Sequence, residues 1–337
     1  MKSSNEGLFF MFTSLCSGTA LVLVTQVISK QGVHPSSQLA VWVQYVGHFI
    51  TSTMQLQASP KKADCTRRQS IFKFSIGVCH VCAYLTVIIA MTKIGAAMYQ
   101  IIYSSGLVWA AIVSRVVLGK VPSLQQGVAI LIVTAGLVLN GVKMMAASAP
   151  SSGVPASDLL TGSLLTLFIT LLFVLMPVLA ELANKDLPPQ KHLSSAEIGN
   201  TTARVGLVVL TVYMLVYTLP AWDSLVTQPL ATTGTPLVTV VVWYLGSALL
   251  YSLHSHLFLE TGRTCGAVGN GLVNAVRSAS VVLIGAALFC APEAQNLCLD
   301  QSKMITVSLL VLGGIVYTTA PAATYITAAK KDVKKTQ

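Results

Sequence analysis

Residues 265–290, CGAVGNGLVNAVRSASVVLIGAALFC, form an apolar run with a single arginine, Arg277, near the middle. As a helix rising 1.5 Å per residue, the run is long enough to cross the hydrocarbon core of a bilayer. An arginine at that depth costs about 3 kcal/mol or more unless it faces a partner or a water-filled cavity. Asn270, Asn274 and Arg277 stand at i, i+4 and i+7, so the three line one face of that helix. A polar path through a membrane protein produces such a face, and so does a structural arginine paired with a neighbouring helix.

The rest of the chain fits a membrane environment. It has 337 residues, of which 54% are hydrophobic and only 9% charged, against roughly a quarter in soluble domains. The net charge of +10 is not a nucleic-acid signature, because the basic residues lie between apolar spans with no basic-aromatic surface pattern. The first apolar run, about 8–28, is too long for a signal-peptide core and lacks a small-x-small cleavage site. Cys79 and Cys82 form a C-x-x-C around His80, but inside a spanning segment, where small helix-packing residues are the simpler reading. Cys290 and Cys298 flank a loop on the expected non-cytosolic side, where a disulfide is chemically allowed.

Apolar windows of spanning length occur at 7–29, 37–57, 72–92, 95–118, 124–144, 159–184, 199–221, 237–259, 264–290 and 304–327. The expected fold is therefore an all-α polytopic membrane protein with ten transmembrane helices. Lysine and arginine placement sets the orientation. One face collects Lys2, Lys61, Lys62, Arg67, Arg68, Lys120, Lys185, Lys191, Arg263 and the basic tail, while the other keeps Lys30, Lys93, Lys143 and Lys303. By the positive-inside rule both termini are cytosolic. GAAMYQIIYSSGLVWAAIVSRVVLG in the fourth span can be laid over GAVGNGLVNAVRSASVVLIGAALFC in the ninth. VTAGLV in the fifth matches VLGGIV in the tenth, and TQVISK matches AELANK. Each unit has five spans, so the second enters the membrane with opposite polarity, as in the inverted repeats of many secondary transporters. The expected organisation is a first five-helix repeat over 1–144, a linker loop over 145–158, a second repeat over 159–327 and a basic cytosolic tail over 328–337.

Polar side chains on the paired fourth and ninth spans supply candidate chemistry. Tyr99 and Tyr103 are i, i+4, as are Gln100 and Ser104. Tyrosines so spaced can stack on a planar base or sugar while their hydroxyls hydrogen-bond, although tyrosines near a helix end also serve as interfacial anchors. Arg277 offers a planar fork of donors suited to phosphate or carboxylate. The eighth span adds Tyr251 and Ser252, with His254 and His256 as groups that could sense protons or simply pack. Glu181 is one of few acids near a span; it could balance a base, contact a hydroxylated substrate, or sit solvated at a helix end. No paired carboxylates, H-E-x-x-H, nucleophile elbow or P-loop is present, so an enzyme is not expected and no cofactor or metal is implied.

AAMYQIIYSSGLVWAAIVSRVVLGKVPSLQQGVAILIVTAGLVL (96–139) resembles the fourth-to-fifth helix region of nucleotide-sugar transporters, especially the CMP-sialic acid and UDP-galactose branch of the drug/metabolite transporter superfamily. LYSLHSHLF (250–258) is similar to that branch's LYTSVVVKY. The resemblance implies antiport of a nucleotide sugar against a nucleoside monophosphate across the Golgi or ER membrane. Tyr99, Gln100 and Tyr103 match the family's YQ-x-x-Y, Tyr251 and Ser252 its eighth-helix Tyr-Thr, and Glu181 the acid of its FEK, with Leu182 in place of the lysine. The family's QNN is replaced by Ala83-Tyr84-Leu85, and its VRNIQ by Ile198-Gly199-Asn200-Thr201-Thr202. Val268–Asn270 and Arg277 resemble the ninth helix of the triose-phosphate translocators instead. Lys334 and Lys335 before the last two residues look like a cytosolic dilysine retrieval signal, and a basic flank after a last span would read the same way.

The expected partners are thus a nucleotide sugar, a nucleoside monophosphate and the lipid bilayer, with no nucleic acid and with room for a homodimer. The alternatives are a same-fold carrier of a sugar phosphate or other small metabolite, and a non-transporting membrane scaffold.

Overall fold

Thr66, Ser194 and Asp300 start three helices by hydrogen bonding. Each side chain accepts from the backbone N–H three residues on, and Gln69 and Glu197 return the bond to close two capping boxes. The computed structural model describes residues 4–58, 65–147, 155–291, 298–320 and 324–325. Its helices are α1 (Ser4–Ser29), α2 (Leu39–Ala58), α3 (Arg67–Tyr103), α4 (Gly106–Val113), α5 (Leu124–Ala147), α6 (Ala156–Asn184), α7 (Ser195–Tyr213), α8 (Gln228–Thr233), α9 (Leu237–Phe289) and α10 (Gln301–Thr318). Wide π turns extend α4 over Ser114–Leu118 and α7 over Met214–Thr218.

Two glycines break the longest helices. Gly95 inside α3 has φ 76° and ψ 156°, and Gly266 inside α9 has φ 76° and ψ 177°, backbone conformations that a Cβ strongly disfavours. They are the residues that open GAAMYQ and GAVGNG, the two stretches laid over each other in the sequence.

Apolar residues cover the outside. Val116, Leu131, Val216, Val238 and Leu249 are exposed, whereas Gln44, His48, His80, Gln100, His254 and Arg277 are buried. That inverted polarity suits a lipid surround, where backbone groups are satisfied within helices and polar side chains turn to the bundle interior. Among the described residues six helices are long and apolar enough to cross a membrane, so this is a multi-pass helical membrane protein. One of them, Leu237–Phe289, has 53 residues and is divided by Gly266.

The packing joins segments distant in sequence: α3 lies along α6 and α9 along α1, α2 touches both α7 and α9, α3 also touches α7, and α5 pairs with α10. The last helix ends at Thr318, short of the expected limit of 327. Beyond it, Thr324–Tyr325 pairs antiparallel with Lys120–Val121, Lys120 opposite Tyr325. Between α7 and α9 the chain forms a π turn and the short α8, which has Pro229 in its first turn and stops at Gly234 in the left-handed region. Cys290 and Cys298 are disulfide-bonded, with Cα atoms 4.6 Å apart. Asn200, of the Asn-Thr-Thr sequon, is buried and donates from Nδ2 to Thr53 Oγ1 at 2.9 Å. Lys334 and Lys335 lie outside the described residues.

Candidate functional site

A cavity of 70 Å³ lies among α1, α2, α3, α6 and α9. Arg277 reaches it from the half of α9 that follows Gly266. The guanidinium sits over the Tyr103 ring, 5.0 Å from its centroid, and Tyr103 stacks on Tyr99 with centroids 5.7 Å apart and planes at 15°. A cation over a tyrosine face is worth about 0.5–2 kcal/mol, which offsets only part of the cost of burying the charge. Among the described residues no salt bridge involves Arg277, and its Nε has no hydrogen-bond partner. Among the described residues no carboxylate lines the cavity.

The partner of Arg277 is a base. Its Nη1 lies 3.3 Å from His254 Nε2, and His254 Nδ1 lies 3.1 Å from Ser17 Oγ. Ser17 donates its one hydroxyl proton to the Ser14 carbonyl at 3.2 Å. His254 Nδ1 therefore carries the proton and donates to Ser17 Oγ, leaving the Nε2 lone pair for the arginine N–H. His254 is neutral in this arrangement. Gly18 makes it possible: a Cβ there would stand 2.7 Å from both Arg277 Cδ and His254 Cε1.

The opposite wall is aromatic. His80 accepts from or donates to the Tyr45 hydroxyl at 2.6 Å and stacks on Tyr84 at 4.8 Å, and Phe173 meets Tyr84 and Tyr103 edge-on. Such a set can hold a planar ring by stacking and edge contacts.

A second cavity, of 440 Å³, opens where the ends of α6 and of the π turn after α4 meet the start of α7 and the Gly266 break. Among the described residues its walls carry Lys120, Lys185, His192 and Arg263 with one acid, Glu181. Glu181 forms an ion pair with Lys120, and its Oε1 accepts from Ala267 N at 2.8 Å, so it caps the helix that resumes after Gly266. Phe258 lines both cavities.

Of the residues singled out from sequence, Tyr99, Gln100, Tyr103 and Arg277 meet in the central cavity. Asn274 stands behind it, its Nδ2 donating to the Tyr103 hydroxyl at 3.5 Å. Asn270 is buried with its Oδ1 unpartnered. Ser104 and Ser252 donate to carbonyls of their own helices, Ile101 and Ala248. Tyr251 packs among Tyr45, Tyr84 and His80, and Glu181 belongs to the second cavity. Tyr84 and Gly18 were not singled out. His80 and Tyr84, at i, i+4 in an apolar span, carried a readable signal; Gly18 carried none, since its role is to leave room for a distant side chain.

Residues 5–142 match the EamA-like transporter family. The match runs from α1 into α5 and leaves α6–α10 uncovered. The EamA-like part contributes Gly18, His80, Tyr84, Tyr99, Gln100 and Tyr103 to the cavity, and the remainder contributes Phe173, His254 and Arg277. A solved structure described only as "Crystal structure of protein" is similar over 94% of this chain and 98% of its own, with a TM-score of 0.59 and 15% identity. At that identity the likeness is one of fold. No curated protein matches the chain.

Proposed function

We propose that this protein is a secondary transporter that exchanges anionic metabolites by alternating access, and that its substrates are a nucleotide sugar and the corresponding nucleoside monophosphate. The observation that carries the reading is Arg277, a buried guanidinium that faces a cavity without an acidic partner among the described residues and is stacked on a tyrosine pair. A phosphate supplies the missing charge in bidentate geometry, and Tyr84, Tyr99 and Tyr103 supply faces for a base or sugar. The match of the first half to a transporter family supports the transport part.

The ten-span inverted repeat belongs to the same proposal. It is supported by the shared backbone conformation at Gly95 and Gly266 and by the reciprocal packing of α3 on α6 and α9 on α1. With both termini cytosolic, the larger cavity is a cytosolic vestibule. Ligand sites for small molecules commonly hold about 300–1,000 Å³. The vestibule reaches that range and the central cavity does not, so the substrate's passage requires Phe258 and its neighbours to move. Golgi or ER residence, the retrieval role of Lys334 and Lys335, and a homodimer complete the proposal.

The test is thermal stability of the purified protein against CMP, UMP, GMP, AMP, phosphate and triose phosphate, followed by exchange in proteoliposomes. One nucleoside monophosphate at a hundred times its Kd raises stability by about 2.7 kcal/mol. Arg277→Ala abolishes exchange while the protein remains folded. Normal exchange by a folded Arg277→Ala carrier removes the assignment, and a response only to triose phosphate moves the substrate to sugar phosphates.

A further inference from the structure

The geometry points to His254 as a proton-binding site coupled to the anion site at Arg277, so that the carrier takes up a proton together with a dianionic substrate. The inference rests on the anion-carrier reading above and adds a second cargo to it.

With Arg277 bonded to His254, the proton is excluded. The Nε2 lone pair of His254 receives the Arg277 N–H at 3.3 Å, while Nδ1 donates to Ser17. Protonating Nε2 would set two cations face to face, in a cavity that no carboxylate lines among the described residues. The other titratable groups around His254 do not change this. α3 presents His80, whose Nδ1 is bonded to Tyr45, with Tyr84, Tyr99 and Tyr103; α1 presents Ser17 and Gly18, α2 Gln44 and α6 Phe173.

An arriving anion reverses the balance. It draws the guanidinium toward itself and frees His254 Nε2. A phosphate monoester carries about −1.5 to −2 charges at neutral pH, so a single arginine leaves the pair negative inside a low-dielectric bundle. A proton on His254 Nε2, donated in a hydrogen bond to the anion, brings the set of dianion, arginine and imidazolium to neutrality. Ser17 still holds Nδ1–H, so the ring needs no rotation to accept it. The proton enters with the anion from one side and leaves with it on the other.

The experiment follows the unfolding midpoint of the full-length carrier against sulfate, inorganic phosphate, CMP and UMP between about pH 5 and 8, the window of an imidazole. Sulfate remains a dianion throughout, which separates the carrier's proton from the ligand's own. The expected result is an affinity that rises by up to about tenfold per unit fall in pH in the wild type. In His254→Gln, whose amide can still accept from Arg277 and donate to Ser17, that rise is absent for sulfate and reduced to the ligand's own titration for the others. A pH-linked response to sulfate or phosphate alone upholds the coupling and removes the nucleotide reading. Stabilisation by CMP or UMP with the same pH profile in both proteins overturns the coupling and leaves the nucleotide reading standing. No response to any of the four anions overturns both. If His254→Gln does not fold, the wild type decides: sulfate added to weakly buffered carrier must withdraw up to one proton per anion bound, and no withdrawal overturns the inference.

Discussion

Gly18→Ala tests the central cavity through a residue that touches neither end of the chain's polar chemistry by hydrogen bond. The added Cβ would stand 2.7 Å from Arg277 Cδ, 2.7 Å from His254 Cε1 and 2.9 Å from Arg277 Nη1. Carbon atoms in contact prefer about 3.5–4.0 Å, so roughly 1 Å must be found. His254 cannot supply it, because Ser17, the residue beside Gly18 on α1, holds its ring. The displacement falls on Arg277. Overpacking of this kind costs about 1–3 kcal/mol, and alanine returns about 0.5–1 kcal/mol as a better helix former. The net expected loss of stability is about 0–2.5 kcal/mol. Anion affinity falls more, by about tenfold to a hundredfold, since a shift of about 1 Å in a positioned group can cost that much. The assay is the ligand-dependent unfolding midpoint beside Gly246→Ala, an exposed helical position where nothing lies within 4 Å of the new Cβ. Gly246→Ala should be neutral or stabilising and leave affinity unchanged. If Gly18→Ala behaves the same way, the placement of Arg277 against α1 is wrong.

Three further outcomes are expected. Gly206→Ala places a Cβ 1.9 Å from Cε1 of the fully buried Tyr45, so it should cost about 3 kcal/mol or more; near-normal yield and melting would refute the α2–α7 packing. Glu181 and Lys120, each about one-fifth exposed, should show a coupling of about 0.5–3 kcal/mol in a double-mutant cycle of Glu181→Gln and Lys120→Met, read by thermal unfolding; additive effects would mean the ion pair contributes nothing. Cys298→Ser opens a loop with a sequence separation of 8 and should lower stability by about 2–3 kcal/mol, matched by reductant acting on the wild type but not on the variant; equal sensitivity of both proteins would refute the disulfide.

Much of the site was legible because helix periodicity assigns faces. Arg277 and Asn274 do point inward with Tyr103 opposite, as their spacing implies. Periodicity does not assign depth or partner. Tyr251 and Ser252 share the inner side of α9 with His254, yet only His254 lies at the level of Arg277. Glu181 is inward-facing too, but it lies at a helix end, where Lys120 and the N–H of Ala267 hold it far from the arginine.

The sequence by itself determined the membrane environment, the helical character and the burial of one arginine, because the length of an apolar run is a local quantity that a bilayer reads directly. Only the tertiary structure decided that the arginine's partner is a neutral histidine held by Ser17, that Gly18 makes the space for both, and that Glu181 closes a different cavity. Those outcomes depend on how α1 crosses α9 and on where Gly95 and Gly266 break their helices, and packing between distant segments, not the pattern along any one of them, sets that geometry.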